Sequence, residues 1–284
     1  MPELPEVETV RRGLNQVTLG HEILGGDVLL RRTIAHPLSV DEFLRQLQKV
    51  TISGWQRRGK YLLAELEARH GDTSRTAGWL GVHLRMTGQL LWVDQDEPLQ
   101  KHTRVRLFFQ NNRELRFVDL RTFGQMWWVP PSVAPESIVT GLYRLGPEPF
   151  SDGFSVEYLV SKLKNRQRSI KAALLDQELV AGVGNIYADE ALFLGGIRPQ
   201  TLCAALSIEQ IERLRAAIIQ VLQTSIESGG TTFSDFLSVL GVNGNYGGIA
   251  WVYGRRGEPC RVCGTPIERI KLAGRSSHFC PNCQ

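Results

Sequence analysis

The sequence predicts an α+β protein: an antiparallel β-sandwich with an N-terminal helix, then a C-terminal helical domain, then a small β-hairpin. Three observations support this prediction. The first half contains short segments rich in Val, Ile, Leu and aromatic residues, separated by polar or glycine-containing turns. The second half shows helical apolar spacing. The end of the chain carries two Cys-x-x-Cys pairs, whose spacing is typical of a four-cysteine zinc site.

The chain of 284 residues is long enough for two domains, and its 42% hydrophobic and 22% charged content is ordinary for a globular protein. No apolar run reaches the roughly 18 residues of a membrane helix. The early prolines and acids are unlike a secretory signal, so we expect a cytoplasmic protein. Residues 251–284 hold six basic and two acidic side chains, which account for the whole net charge of +4. Such a basic patch is typical of a polyanion partner.

The opening residues 1–14 predict a helix. Pro5 suits the first turn, where its missing N–H leaves no hydrogen bond unmade. Val7, Val10 and Leu14 then share one face and can anchor the helix to a core.

The same segment also has a chemical interpretation. If Met1 is removed, Pro2 becomes a secondary amine at the N-terminus, a nucleophile beside two candidate acid/base groups, Glu3 and Glu6. The alternative is a capped surface helix whose early acids merely complement the helix dipole. Residues elsewhere in the chain must decide between the two interpretations.

Short strands follow the opening helix. They are predicted at 22–30, 50–56, 61–66, 80–86, 89–93, 105–109, 114–118 and 125–129. Short turns join them, which indicates an antiparallel meander in two packed sheets without parallel pairing. A proline-rich change in composition then marks a linker. We therefore expect domains at 1–131, 154–250 and 251–284, with a linker at 132–153.

The second half is predicted to be helical. Helices are expected at 156–164, 169–176, 185–194 and 208–227, with a short one near 136–143. The segment from Gly182 to Asn185 predicts a Gly-x-Gly turn between two helices, with Asn185 as N-cap. Such a helix start can bind phosphate, helped by the nearby cations Lys162, Lys164, Arg166, Arg168 and Lys171. An ordinary helical corner is the alternative. A dinucleotide loop is excluded because Tyr187 replaces the third glycine.

The strongest local motif is the set of metal-ligating cysteines Cys260, Cys263, Cys280 and Cys283. Four thiolates leave no open position for catalysis, so we expect one structural Zn²⁺. Residues 267–272 and 276–279 between the pairs predict a hairpin that presents Arg275 near its tip. Cys203 has no partner in this motif and is expected to be a small buried residue.

Three further features lie in the strand-rich half. Lys60 follows a tight turn from which a cation can reach phosphate. Met86 lies on one loop, and Arg121 and Phe123 lie on another. Apolar groups beside arginine can replace a base expelled from a duplex and hydrogen-bond the base opposite. The alternative for Met86 and Phe123 is simple burial in the core.

Together these motifs resemble the bacterial formamidopyrimidine-DNA glycosylases, within the wider formamidopyrimidine/endonuclease VIII family. The resemblance covers the whole chain and is carried by four segments: Pro2-Glu-Leu-Pro-Glu-Val-Glu-Thr, Gly182-Val-Gly-Asn-Ile-Tyr-Ala, Gly229-Gly-Thr-Thr and Tyr253-Gly-Arg-Arg-Gly-Glu-Pro-Cys-Arg-Val-Cys-Gly. It implies a two-domain clamp in which a β-sandwich and a helix–two-turn–helix domain with a zinc finger hold DNA. It also implies a bifunctional enzyme that removes 8-oxoguanine and formamidopyrimidines from double-stranded DNA, then cuts the strand as an AP lyase by β,δ-elimination.

The resemblance also implies residue roles. The catalytic set is Pro2 as nucleophile, Glu3 as acid/base group, Glu6 as its partner, and Lys60 on a phosphate. His102, Asn185 and Arg275 would bind further phosphates. Met86, Arg121 and Phe123 would fill the void left by the base. Residues 231–248 would cover the expelled base, and the enzyme would act as a monomer on nucleoid DNA without a membrane partner.

The chain departs from the family pattern at Leu120 and Thr122, where proline and arginine are expected around Arg121. The sequence also carries Met1, which would block the amine of Pro2. Two alternatives remain: an endonuclease VIII-like glycosylase for oxidised pyrimidines, and a non-catalytic zinc-ribbon protein that binds DNA. The N-terminal segment and the long loop after Thr232 favour the purine enzyme.

Overall fold

The computed structural model describes residues 1–70, 73–231, 239 and 244–284. The chain forms two compact units, one from Met1–Tyr143 with Gly229–Gly244 and one from Arg144–Ser228 with Asn245–Gln284. The loop predicted to cover the base, residues 231–248, lies largely outside the described residues. Within the described ranges, every helix is too short or too polar to cross a membrane.

The first unit opens with the predicted helix, α1, which spans Leu4–Val17. Pro5 lies in its first turn, where a missing N–H costs no hydrogen bond. Val7, Val10 and Leu14 are fully buried and belong to the same hydrophobic core as the strands. This apolar face fixes the helix to the unit and holds the N-terminal residues with it.

The strands of the first unit confirm the predicted β-sandwich. They are β1 (Glu22–Ile23), β2 (Gly25–Val28), β3 (Ile34–His36), β4 (Val50–Arg58), β5 (Tyr61–His70), β6 (Thr73–His83), β7 (Gly88–Asp94), β8 (Thr103–Phe109), β9 (Arg113–Asp119) and β10 (Gln125–Val129). The described strands form one sheet of order β1-β4-β5-β6-β10-β3 and another of order β2-β8-β9-β7. Buried side chains from both sheets share one hydrophobic core with α1.

The expectation of purely antiparallel pairing is wrong at one sheet edge. Strand β3 pairs with β10 in parallel, with Ile34 opposite Met126. A strand of three residues followed by Pro37 shows no alternation in the sequence, so periodicity does not reveal it.

Helix α2, Val40–Leu47, was not predicted either. Its start carries a local signal, because the hydroxyl of Ser39 accepts the N–H of Glu42 at 3.2 Å. Ser followed three residues later by Glu is the sequence pattern of a helix N-terminus.

Strand β6 differs from the predicted 80–86 in a way that matters for the site. It ends at His83, and β7 begins at Gly88. Residues 84–87 therefore form a loop, which places Met86 outside the strands.

The remaining helices are α3 (Pro135–Ile138), α4 (Thr140–Tyr143), α5 (Val156–Leu163), α6 (Ile170–Leu174), α7 (Asn185–Leu194) and α8 (Ile208–Glu227). The helix predicted near 136–143 is thus the short pair α3 and α4. In the second unit, α8 buries the predicted stripe that contains Ile211, Leu214, Ile218 and Leu222.

The start of α7 corrects the predicted cap. Gly184 is the N-cap residue, in extended conformation, and Asn185 is the first residue of the helix. The connection from α6 is also longer than a Gly-x-Gly turn, since it runs over residues 175–184. Gln177 holds this connection together: its side chain accepts the N–H of Gly182 at 3.0 Å and donates to the carbonyl of Val183 at 2.8 Å.

The predicted hairpin at the end of the chain is confirmed. It consists of β11, Glu268–Leu272, and β12, Arg275–Phe279. Ala273 and Gly274 make the turn with φ values of 48° and 77°, the left-handed pair that two-residue hairpins require. Arg275 therefore follows the turn directly.

His83 at the end of β6 is a buried base in the first unit. Its side chain is 6% exposed, and its Nδ1 accepts the N–H of Arg85 at 2.9 Å. Burial, together with the positive charges of Arg85 and Lys60, lowers the pKa of His83 from 6.5 to about 3. The imidazole is therefore neutral in the folded protein.

This burial predicts acid sensitivity. The unfolded histidine binds a proton below its ordinary pKa of 6.5, whereas the folded one binds it only near 3. As the pH is lowered from 6.5 towards 3, this group should therefore decrease the free energy of unfolding by about 1.4 kcal/mol per pH unit. The free energy of unfolding can be measured by urea denaturation at several pH values in this window. Its slope against pH should be smaller in His83→Gln by that amount. His21→Gln, which leaves His83 in place, should keep the wild-type slope, and equal slopes for all three proteins would contradict the assignment.

Candidate functional site

The N-terminal segment is held by the carboxylate of Glu6. Pro2, Glu3 and Glu6 are all buried. One oxygen of Glu6 accepts the N–H of Glu3 at 2.8 Å, and the other accepts the N–H of Thr231 at 2.9 Å. Gly230, with φ of 82°, passes so close that an added Cβ would lie 3.1 Å from Glu6. The predicted nucleophile and acid/base groups thus belong to one rigid segment.

A second carboxylate fastens α1 beside the turn that carries Lys60. The carboxylate of Glu8 forms ion pairs with three guanidinium groups. The N···O distances are 2.8 Å to Arg11, 2.9 Å to Arg12 and 3.2 Å to Arg57. Burial opposes ionisation of Glu8, but the hydrogen bonds and charges of these arginines prevail and lower its pKa. Arg57 also donates to the carbonyl of Gly59 at 3.0 Å, so one guanidinium joins the helix to the turn.

Lys60 itself is buried, with 7% of its surface exposed. It follows Gly59, whose φ of 56° makes the tight turn between β4 and β5. Its positive charge contributes to the low pKa of His83. The cation thus lies within the first unit, as the N-terminal segment does.

A cavity of about 500 Å³ lies beside the N-terminus. It is lined by Met1, Arg32, Arg85, Met86, Thr122, Phe123, Gly124 and Gln125. Phe123 is 52% exposed, and Met86 is half-buried, so burial in the core does not account for Phe123. The guanidinium of Arg121 lies 5.1 Å from the centre of the Phe123 ring. The loop that carries Met86, the loop that carries Phe123 and the start of the chain therefore all line one cavity.

Asp119 joins the two loops. Its carboxylate accepts the hydroxyl of Thr87 at 2.5 Å and the N–H of Gly124 at 2.7 Å. Thr87 in turn accepts the N–H of Arg121 at 2.9 Å. Asp119 is 1% exposed, so its carboxylate is shielded from water. Through it the Met86 loop and the Arg121 loop are held in one arrangement.

The departure at Thr122 has a structural counterpart. Thr122 adopts a left-handed backbone with φ of 59°, and its hydroxyl accepts a hydrogen bond from Arg32. The resemblance led us to expect arginine at position 122. Here a guanidinium reaches the same loop from residue 32 instead.

His102 is oriented by Arg104. The guanidinium of Arg104 donates to Nδ1 of His102 at 3.1 Å and to the carbonyl of Asp119 at 2.9 Å. A guanidinium can only donate, so Nδ1 is the acceptor and the ring proton lies on Nε2. His102 can then offer one N–H to a phosphate while neutral.

In the second unit, Asn185 lies against the finger hairpin. Its side chain donates to the hydroxyl of Ser276 at 3.4 Å. Lys171, 1% exposed, contacts Asp189 at 2.6 Å and donates to the carbonyl of Ser276 at 2.5 Å. Asp189 also accepts the N–H of His278 at 2.9 Å. Lys171 therefore joins helices to hairpin. Its charge is paired with that of Asp189, so it does not add the positive charge that the sequence predicted near the start of α7.

Two other predicted cations are also engaged internally. Arg166 and Arg168 lie 3.6 Å and 2.5 Å from the carboxylate of Asp176. Lys162 and Lys164 remain exposed. The positive charge near the start of α7 is thus smaller than the sequence suggests.

Glu190 anchors the segment that leads into the finger. Its carboxylate accepts the N–H groups of Trp251, Val252 and Tyr253 at 2.7 to 2.9 Å. The hydroxyl of Tyr246 donates to it at 3.3 Å. Burial raises the pKa of Glu190, although these hydrogen bonds counteract the rise.

The four cysteines of the motif form the predicted metal site. The sulfur atoms of Cys260, Cys263, Cys280 and Cys283 all lie within 4.8 Å of one another. Tetrahedral Zn–S bonds of about 2.3 Å place sulfurs roughly 3.8 Å apart, and the pairs Cys260–Cys283 and Cys263–Cys280 lie at 3.8 and 3.5 Å. The set therefore fits one Zn²⁺, while Cys203 is buried outside the cluster.

Sequence reasoning missed the buried acids Asp119, Asp189 and Glu190 and the orienting Arg104. A signal was present for two of them, because Asp189 and Glu190 are adjacent acids within the otherwise apolar helix α7. Such acids must be paired when buried. Asp119 and Arg104 carry no comparable signal, since acids and arginines are ordinary at strand ends.

Three family models match the chain. They are the formamidopyrimidine-DNA glycosylase N-terminal domain over residues 1–126, the formamidopyrimidine-DNA glycosylase H2TH domain over residues 145–236, and the zinc finger found in FPG and IleRS over residues 257–284. A formamidopyrimidine-DNA glycosylase of Nostoc sp. (strain PCC 7120 / SAG 25.82 / UTEX 2576) is 70% identical over 284 residues, which cover 100% of both chains.

Solved structures of Lactococcus lactis FPG are also similar. A mutant in complex with Fapy-dG-containing DNA has a TM-score of 0.89 and 36% identity, with coverage of 100% of this chain and 99% of that chain. The wild-type protein in complex with DNA containing an oxidised pyrimidine has a TM-score of 0.88 at the same identity and coverage.

The hydrogen bonds of Asp119 predict that its removal makes the Arg121 loop more mobile. Asp119→Asn removes the negative charge and replaces one acceptor oxygen with an NH2 donor, so the hydroxyl of Thr87 or the N–H of Gly124 loses its acceptor, at a cost of about 1–3 kcal/mol. Hydrogen exchange at the N–H groups of Arg121 and Gly124 should accelerate. Asp94→Asn is the matched control, because Asp94 pairs with Arg113 at the surface; unchanged exchange in Asp119→Asn would refute the network.

The zinc site predicts a metal-dependent finger. Cys260→Ser should lower bound zinc below one per chain and speed hydrogen exchange in β11 and β12, because metal binding supplies folding free energy to so small a unit. Cys203→Ser is the control and should keep one zinc. Full zinc and unchanged protection in Cys260→Ser would contradict this assignment.

Proposed function

The chain belongs to the formamidopyrimidine-DNA glycosylase family, and on that basis we propose that Pro2, freed from Met1, attacks the sugar of an oxidised nucleotide. The protein is a DNA repair glycosylase with AP lyase activity, and DNA is its partner. One observation carries the assignment of the nucleophile: the Glu6 carboxylate holds the N–H of Glu3 and thereby the segment that begins at Pro2.

The residue types suit this chemistry. A terminal α-amine titrates near pH 8, so a useful fraction of Pro2 is neutral and nucleophilic at physiological pH. Its lone pair attacks C1′ as the bond to the base breaks, and the departing base takes a proton. The proline nitrogen then gives up its own proton, and the C1′–O4′ bond of the sugar opens as O4′ takes a proton. The product is an iminium ion between the proline nitrogen and C1′.

A secondary amine matters for the next step. The iminium nitrogen of Pro2 carries no hydrogen, so it cannot lose its charge by deprotonation. The cation acidifies C2′, and loss of that proton expels one phosphate by β-elimination. A further elimination expels the other phosphate, and hydrolysis then frees Pro2.

The neighbouring groups have distinct proposed roles. Glu3 donates the proton to the base or ring oxygen and later moves protons during elimination. Glu6 uses both oxygens on backbone N–H groups, so its role is to position the segment. Lys60 places a cation on a phosphate beside the lesion.

The remaining proposed contacts divide into phosphate binding and void filling. His102, Asn185 and Arg275 bind phosphates, and the neutral Nε2–H form of His102 supports this role. Met86, Arg121 and Phe123 replace the expelled base, which must leave the stack because C1′ is otherwise shielded. Two observations support this role: Met86 and Phe123 line one cavity, and Asp119 holds their loops together.

The zinc finger has a supporting role. Four cysteines hold one Zn²⁺ and leave no open coordination position. The metal therefore stabilises the hairpin that carries Arg275, and the chemical steps belong to the N-terminal segment.

The proposed substrate is double-stranded DNA that contains 8-oxoguanine or formamidopyrimidines. The name of the Nostoc relative and the Fapy-dG complex of the Lactococcus protein support this choice. We further propose a monomer that works in the cytoplasm on nucleoid DNA, since every proposed site residue lies on one chain. The complex with an oxidised pyrimidine keeps an endonuclease VIII-like preference as the second candidate.

Borohydride trapping tests the nucleophile. Protein with a free Pro2 should form a covalent adduct with a duplex containing 8-oxoguanine opposite cytosine, and peptide mapping should place the adduct on Pro2. Protein that retains Met1 is the matched control and should form none, because its proline nitrogen is an amide.

The outcomes separate the alternatives. A non-catalytic DNA-binding protein would bind the duplex but give no adduct after removal of Met1. That result would contradict the proposed attack by Pro2. Faster excision from a thymine-glycol duplex than from the 8-oxoguanine duplex would favour the pyrimidine enzyme instead.

A further inference from the structure

Arg116 in β9 is a fully buried arginine. It is 0% exposed, as is Glu114 two residues before it on the same strand. The guanidinium of Arg116 donates its Nε–H to one oxygen of Glu114, and Arg106 of β8 pairs with the other oxygen at 2.7 Å. The charge of Arg116 is therefore compensated within the first unit, as a buried ion requires.

Arg116 donates three further hydrogen bonds to one surface loop. Its Nη1 donates to the carbonyl of Pro98 and to the side-chain oxygen of Gln100, both at 2.9 Å. Its Nη2 donates to the carbonyl of Glu97 at 2.7 Å. A guanidinium can do this because it offers five N–H donors in one rigid plane. We call residues 97–100 the arginine-held loop.

The position of Arg116 on its strand explains why the loop covers it. Leu115 and Phe117, on either side of it, belong to the hydrophobic core. Successive side chains on a strand point to opposite faces, so Arg116 points away from this core, towards the loop. An apolar side chain often replaces a buried ion without loss of stability, but it cannot bind three loop oxygens. The guanidinium therefore adds a fixed path for the loop.

The arginine-held loop leads directly to His102. The carbonyl of Gln100 accepts the N–H of Thr103 at 3.0 Å, which closes a β-turn with His102 at its third position. After the turn, the carbonyl of His102 accepts the N–H of Asp119 at 2.9 Å. His102 is thus held from both sides, with Arg116 fixing the residues that precede it.

We propose that Arg116 is a positioning residue for DNA binding, which fixes the arginine-held loop so that His102 is already in place to donate its Nε2–H to a phosphate. The inference rests on the proposed function, because it takes His102 to be a phosphate contact. A group that is ordered before binding loses less conformational entropy in the complex. Without Arg116, the loop would have to become ordered as DNA binds, and the affinity would fall.

A double-mutant cycle measures this dependence. The probe is a duplex with a tetrahydrofuran abasic analogue, and the quantity is Kd. His102→Ala should raise Kd about 10- to 100-fold, the loss of a hydrogen bond to a charged group. Arg116→Met, which has no donors, should raise Kd about 5- to 30-fold, the cost of ordering the backbone of one residue.

The decisive comparison is Arg116→Met in the His102→Ala protein. There it should change Kd by less than about twofold, because the contact that it serves is already lost. A general structural role would weaken binding by the same factor in both backgrounds. Arg116→Lys should recover part of the affinity, since one ammonium keeps the charge but does not reproduce the planar set of donors.

Gln100→Leu is a second variant that leaves the buried charges in place. It removes one acceptor of Arg116 from the loop itself. Its rise in Kd should be smaller than that of Arg116→Met and should also disappear in the His102→Ala protein. This variant tests the inference even if Arg116→Met does not fold.

Arg113→Met is the matched control, because it removes the same charge from the same strand. Arg113 pairs with Asp94 at 2.7 Å and donates to the carbonyl of Trp92 at 3.1 Å, so it holds β7 and not the arginine-held loop. Its Kd should stay within about twofold of wild type.

Two results would overturn the inference: a wild-type Kd in folded Arg116→Met, or equal losses from Gln100→Leu with and without His102. Failure of the proposed phosphate contact would look different. His102→Ala would then bind like wild type, and the inference would fall with that contact. The nucleophile is tested separately, since the borohydride adduct at Pro2 does not depend on Arg116.

Discussion

The arrangement of the first unit depends on one carboxylate, that of Glu6. It is buried, and a buried carboxylate is costly unless its oxygens receive hydrogen bonds. Glu6 meets that requirement with the N–H groups of Glu3 and Thr231, which come from opposite ends of the unit's sequence. The chain start, normally free to move, is thereby fixed to a segment more than two hundred residues away. The nucleophile proposed at Pro2 would need such a restraint to hold its geometry.

The same use of a buried acid recurs at other loops of the described residues. Asp119 joins the loops of Met86 and Phe123, and Glu190 gathers the N–H groups that lead into the finger. Asp189 fastens the finger hairpin to α7. In each case a buried acid accepts at least one donor from a segment distant in sequence, so that this segment gains a fixed position. Loss of any one acid would leave buried donors unsatisfied as well as a loop unattached.

Much of this fold can be predicted from the sequence, because residues close together in the chain determine it. The stripe of α1 and the turn of the finger hairpin follow from periodicity and turn chemistry, and the zinc site follows from cysteine spacing. What the sequence does not reveal depends on long-range partners. Strand β3 exists only through β10, and Lys171 looks like a phosphate-binding cation until Asp189 is seen beside it. The cap of α7 also shifts by one residue because Gly184 takes the extended conformation.

The exposure of Phe123 has an energetic meaning for base expulsion. Complete burial of a phenylalanine is worth about 1.5–3 kcal/mol, and 52% of Phe123 still faces water. Expelling a base from a duplex costs a few kcal/mol. Insertion of this ring into the stack would therefore return free energy at the moment when unstacking consumes it. In the proposed mechanism, the unbound protein keeps this hydrophobic surface in contact with water, and the ring would lose that water only on entering the opened DNA helix.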